Sequence, residues 1–184
     1  MTYLGLDTSA RSTGLAIITP VSSTPLVLTN IQPGIRREGE RLAYIRSEIL
    51  RLCAGHSIMQ ACIEGYSFGS THQAFTLGEV AGVAKATLAE LKIPLAIVAP
   101  TALKKFVSGN SSAEKPAMSA SILAKWSVVV DQNDQADAYG LARVASAFHL
   151  GRSAVRSEME VIHAMKTPAV SQLKPRRGRK GNSL

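Results

Sequence analysis

Residues 3–17 read YLGLDTSARSTGLAI. An apolar run ends on Asp7, small polar residues make a turn, and the chain becomes apolar again at Leu15. Two readings fit a carboxylate at the end of such a strand. Asp, Thr and Ser close strands by bonding their own backbone, and a carboxylate held on a rigid sheet is also a metal ligand. The stretch alone does not separate them. It does supply the first two of three strands expected at 2–7, 13–19 and 25–31, and their short Ser/Thr/Gly/Pro connections predict an antiparallel meander.

Outward from that meander the pattern turns helical. Leu42, Ile45, Ile49 and Leu52 recur at helical spacing across 38–54. MQACIEGY reads as a buried strand ending on Glu64, a second helix covers 72–91, and PLAIVAP supplies a fifth strand. Further helices are expected near 100–107, 114–125 and 133–149. The order predicts an α/β fold, a mixed five-stranded sheet flanked by helices.

A chain of 184 residues, 46% hydrophobic, has room for one domain with a substantial core. No apolar run reaches the roughly 18 residues of a membrane span, and the N-terminus does not read as a secretory signal. Cys53 and Cys62 lack metal-type spacing and are expected to be reduced structural thiols, as in a cytoplasmic protein. The net charge is +8, of which Lys166, Lys174, Arg176, Arg177, Arg179 and Lys180 contribute +6. Residues 1–165 are therefore expected to form the folded domain and 166–184 a flexible basic tail whose partner is a polyanion.

Acids recur at telling places. Glu64 follows ACI as Asp7 follows LGL, each at the carboxyl end of an apolar strand. In VVVDQNDQADAYGLA, Asp134 and Asp137 share a helix face. Acids there also cap a helix and match its dipole, a reading that suits Asp131 best. Asp137 suits it less, because apolar Ala138, Tyr139, Leu141 and Ala142 follow. If the first and fourth strands are neighbours and the last helix packs on them, four carboxylates converge. Their mutual repulsion is relieved by divalent cations, and an oxygen-only donor set suits Mg²⁺ or Mn²⁺. In a basic protein this suggests phosphodiester chemistry on nucleic acid.

These blocks resemble the RuvC-type Holliday junction resolvases of the ribonuclease-H-like superfamily. LGLDTSARSTGLAI is similar to the family's first-strand motif, and ACIEGYSFGSTHQAFTLGEVAGV to its Glu-bearing block. PTALKKFVSGNSSAEKPAM and DQNDQADAYGLARVA are similar to its third region. The four occur in order over about residues 3–150. The resemblance implies a ribonuclease-H-like fold and a metal-dependent endodeoxyribonuclease that cuts Holliday junctions, leaving 5′-phosphate and 3′-hydroxyl ends. It implies two Mg²⁺ per site, with Mn²⁺ substituting, held by Asp7, Glu64, Asp134 and Asp137. One ion activates the attacking water and the other stabilises the departing 3′ oxygen. Lys104 and Lys115, flanking VSGNSSAE, fall on the family's two basic positions and are expected to grip phosphates; Arg11 is a weaker candidate.

Two departures stand out. Thr8 and Ser9 replace the family's usual Pro-Gly, which changes the turn without requiring Asp7 to move. Ser67 takes the place of the bacterial members' wedge aromatic, flanked by Tyr66 and Phe68, each able to stack on an unpaired base or to sit in the core. Forks and flaps are therefore expected substrates beside four-way junctions. The altered turn and basic arm fit a phage-encoded or divergent member. Cutting two strands of a two-fold junction implies a homodimer, and the small-residue helix at 72–91 suits packing on its own copy as well as on its sheet. An actin- or sugar-kinase-like ATPase needs a second domain that 184 residues do not supply. A non-cleaving branched-DNA module has no need of four acids, and the Ala-Glu-Lys loop speaks against a related nuclease acting on RNA.

Overall fold

A computed structural model describes residues 1–65 and 71–167; of the helix that begins at Thr71, side chains are described from Ala74. Five strands form one sheet: β1 Thr2–Asp7, β2 Thr13–Ile18, β3 Val27–Ile31, β4 Ile58–Glu64 and β5 Leu95–Val98. Their order is β3-β2-β1-β4-β5. The first three strands pair antiparallel, as their short turns dictate, whereas β4 and β5 join in parallel through helical crossovers. The mixed five-stranded sheet expected from the sequence is the fold observed.

Side chains on a strand alternate between faces, and the two faces carry separate cores. Leu4, Leu6, Leu15, Ile17, Ala61 and Ile63 point one way. Against them pack α1 (Glu38–Cys53), through Ile45 and Ile49, and α2 (Thr71–Glu90), through Val80, Ala84 and Leu88. Tyr3, Ala16, Ile18 and Cys62 point the other way, towards α3 (Pro100–Ser108), α4 (Lys115–Trp126), α5 (Asn133–Leu150) and α6 (Arg156–Lys166). The central helix of this second layer is α5. It is buried almost all round, from Ala136 to Ala147, because it lies between the sheet and the other helices.

The contact between α5 and the sheet depends on two glycines. A Cβ on Gly5 would stand 2.0 Å from the Ala138 carbonyl oxygen and 2.4 Å from the Ala142 nitrogen. One on Gly14 would stand 2.0 Å from the Asp134 carbonyl oxygen. Without side chains at these points the helix backbone rests directly on β1 and β2.

The sequence gives no warning of α6. Its apolar residues Val161 and Ile162 are buried, but its inward face also carries Glu158, only 7% exposed, which blurs the periodicity. Lys125 of α4 satisfies that acid at 3.1 Å and donates to the Phe106 carbonyl of α3 at 3.0 Å; Ser153 donates to the second oxygen. Glu158 thus links three helices. Lys166, the first residue of the expected basic tail, belongs to α6.

Gly5→Ala is expected to destabilise the protein by about 3 kcal/mol or more, since overpacking against backbone has no soft partner to yield. Gly78→Ala, on α2 with nothing within 4 Å of its added Cβ, is expected to be neutral or to stabilise by up to about 1 kcal/mol. Urea unfolding of the two variants beside the wild type checks the contrast.

Candidate active site

Register brings the first two acids together. Leu6 pairs with Ile63 in the parallel β1–β4 ladder, so the next residues, Asp7 and Glu64, emerge side by side at adjacent strand ends. Both fall on the α5 face, Asp7 in step with Tyr3 and Gly5, and Glu64 in step with Cys62. Asp7 also lies opposite Gly14, the position over which the Asp134 carbonyl sits. The first turn of α5 is therefore delivered to the same edge, and Asp137 follows one turn later on the face that Asp134 occupies.

The electrostatics follow from that convergence. All four carboxylates are partly buried. Burial, then Asp137, Glu64 and Asp134, push the Asp7 carboxyl up to about 8, against a smaller opposing effect of Lys115. Burial and Asp137 push Glu64 up to about 7, opposed by Lys104. Asp137 is raised chiefly by burial and by Asp134, with Lys115 and Lys104 opposing. Among the described residues, no three His, Cys, Asp or Glu side chains are placed to hold a metal ion as they stand. The donor set nonetheless fits a hard divalent cation: oxygen ligands only, partly buried and too crowded with negative charge to ionise together.

Two lysines face the acids. Lys104 lies one turn into α3, which begins directly after β5, the strand beside Glu64. Lys115 is the exposed first residue of α4. Lys105, next to Lys104, is committed elsewhere, to Glu160 at 2.8 Å. Arg11 is exposed on the turn after Asp7. In that turn Ser9 accepts from the Ser12 N–H at 3.2 Å and donates to the Ser12 carbonyl at 3.1 Å, while the Thr13 hydroxyl donates to the Ser9 carbonyl at 2.8 Å. Hydrogen-bonded side chains thus close the loop where Pro-Gly is absent. Tyr66, Phe68, Arg176, Arg177, Arg179 and Lys180 lie outside the described residues.

Sequence reasoning passed over a polar residue that joins two segments of this edge. Asn30 of β3 donates to Ser12 Oγ at 3.0 Å and to Gln132 Oε1, reaching both the Asp7 turn and the start of α5. A lone Asn in a strand carries no periodic signal. Only its pairing opposite Gly14 marks it.

In the metal-free protein Asp7 and Glu64 keep protons when folded that they release at their ordinary values, 3.8 and 4.5, when unfolded. The stability contributed is fully present below those values and is lost as pH rises through about 7 to 8. In EDTA the melting temperature is expected to fall between pH 5 and 8, and Asp7→Asn to flatten that fall. Melts across this range check the sign; an unchanged slope in the variant contradicts the assignment.

The chain is similar to known proteins over most of its length. The family model described as crossover junction endodeoxyribonuclease RuvC matches residues 3–145. A crossover junction endodeoxyribonuclease RuvC of Oleidesulfovibrio alaskensis is 34% identical over 125 residues, covering 65% of this chain and 74% of its own. One of Xanthobacter autotrophicus is 31% identical over 159 residues, 82% of this chain and 92% of its own. In fold, the chain superposes with a TM-score of 0.73 on T. thermophilus RuvC solved in complex with a Holliday junction substrate. That likeness is at 16% identity and covers 83% of this chain and 95% of the other.

Proposed function

The chain belongs to the crossover junction endodeoxyribonuclease RuvC family, a family of divalent-metal-dependent enzymes, and from that premise we propose that it resolves four-way DNA junctions at the β1–β4 edge. The observation that carries the site assignment is the crowding of Asp7 by Glu64, Asp134 and Asp137 around two adjoining strand ends. These four residues hold Mg²⁺, two ions per site, with Mn²⁺ as a substitute. Bound there, the ions supply the Lewis acidity that activates water and stabilises the departing 3′ oxygen. The chain's own part is to fix geometry and charge: β1 and β4 hold Asp7 and Glu64 on a rigid sheet, and α5 brings Asp134 and Asp137 to them. The products are 5′-phosphate and 3′-hydroxyl ends.

Lys104 and Lys115 grip the phosphates that flank the cut, since each already faces these acids. Arg11 adds a contact from the exposed turn. Arg176, Arg177, Arg179 and Lys180 supply charge that is independent of sequence, and Tyr66 or Phe68 stacks on an unpaired base. Forks and flaps are secondary substrates. The protein acts as a homodimer, one site for each strand cut. Supporting this, the side of α2 turned from the sheet leaves Phe75 83% exposed and has open space over Gly78 and Gly82. Two buried free thiols, Cys53 and Cys62, suit the cytoplasm, and among the described residues no helix is long and apolar enough to cross a membrane.

The test is cleavage of a labelled four-way junction, a matched duplex and a structured RNA, each with Mg²⁺ or EDTA. Junction cutting only with Mg²⁺ is expected; binding without cutting, or preferential RNA cleavage, contradicts the proposal. Asp7→Asn is expected to lower junction cutting by at least 10²-fold, roughly the scale of losing one group that stabilises transition-state charge, while junction binding is kept or strengthened. Normal cutting by a folded Asp7→Asn protein overturns the site. Removing residues 168–184, which carry Lys174, Arg176, Arg177, Arg179 and Lys180, is expected to weaken binding and flatten its dependence on salt while chemistry persists at saturating DNA.

A further inference from the structure

We propose that Asn30 is a positioning residue of this site: its side-chain amide ties the turn after Asp7 to the start of α5, and so sets how Asp134 stands against Asp7. The inference rests on the carboxylate site proposed above and adds to it a residue from β3, the edge strand beyond β2.

Asn30 is placed for this by register. Asp7 pairs with Gly14 and Gly14 with Asn30, so the three form a row across three strands, with side-chain positions on one face. The middle position has no side chain, and the Asp134 carbonyl fills the space. The first turn of α5 therefore sits between Asp7 on one side and Asn30 on the other.

The hydrogen bonds match the row. An amide group carries two N–H donors, and both are used, one to Ser12 Oγ at 3.0 Å and one to Gln132 Oε1. Ser12 closes the turn that leaves Asp7, through its bonds with Ser9. Gln132 is the N-cap of α5, and its carbonyl accepts the Ala136 N–H at 3.1 Å. The two segments that deliver Asp7 and Asp134 are thus joined through one neutral side chain, which orients acids without adding to their charge. Asn30 Oδ1, moreover, is buried without a partner.

The experiment compares wild type, Asn30→Ala, Gln132→Ala and Asp7→Asn by thermal melts over a Mn²⁺ series, beside cutting over a Mg²⁺ series and junction binding in EDTA. Asn30→Ala is expected to need about tenfold more Mn²⁺ for half the thermal stabilisation, and correspondingly more Mg²⁺ for half-maximal cutting, the scale of partners that orient metal ligands. Its metal-free junction binding is expected to be unchanged. A wild-type Mn²⁺ response in Asn30→Ala overturns the proposal. Should that variant fail to fold, Gln132→Ala decides in the same way, since its residue is exposed. Asp7→Asn separates the two readings: full Mn²⁺ stabilisation in it overturns the carboxylate site itself, whatever Asn30→Ala does.

Discussion

The structure turns on a contact between backbones. Where α5 crosses β1 and β2 nothing larger than hydrogen fits at Gly5 and Gly14, because carbonyl oxygens of the helix already occupy the space. Interiors are packed to crystal-like density and transmit displacement, so this contact fixes the height of the helix over the sheet. The height matters because the acids come from both layers: Asp7 and Glu64 from strands, Asp134 and Asp137 from the helix. Spacing within each layer is set by ordinary strand and helix geometry. The glycine contact sets how closely the two layers approach.

That proximity is held against electrostatic resistance. Burial and like charge both favour the neutral carboxyl, which is why Asp7 rises to about 8. Lys104 and Lys115 offset part of the resistance, and among the described residues neither forms an ion pair. The adjoining Lys105 shows the contrast, since its ion pair with Glu160 gives it a place in the α3–α6 contact instead. Two consecutive lysines serve different ends because a helix turns about 100° per residue.

Much of this was legible in the chain itself. Apolar runs bounded by Ser/Thr/Gly/Pro turns marked the three meander strands and β4 to within a few residues. The carboxylates at the ends of LGL and ACI stood out because an acid is costly beside a core unless something else needs it. Convergence of Asp134 and Asp137 on the same edge could be expected only conditionally, because strand order is not written in local pattern. The roles of Gly5 and Gly14 were hidden for the same reason: both read as ordinary small residues until a helix is laid across them. Asn30 and Glu158 were missed as isolated polar residues whose partners lie far off in sequence, Gln132 and Lys125.

The last helix lies beyond the family-model match but inside the core. Similarity to the family model ends at residue 145, yet Val161 and Ile162 lie in the same core as Phe106 and Tyr139. A chain trimmed at the end of that match would expose apolar surface along α3 and α5 and leave Lys125 without its acid. The matched stretch and the packed core are thus of different lengths, and a boundary drawn at the match would cut through the core.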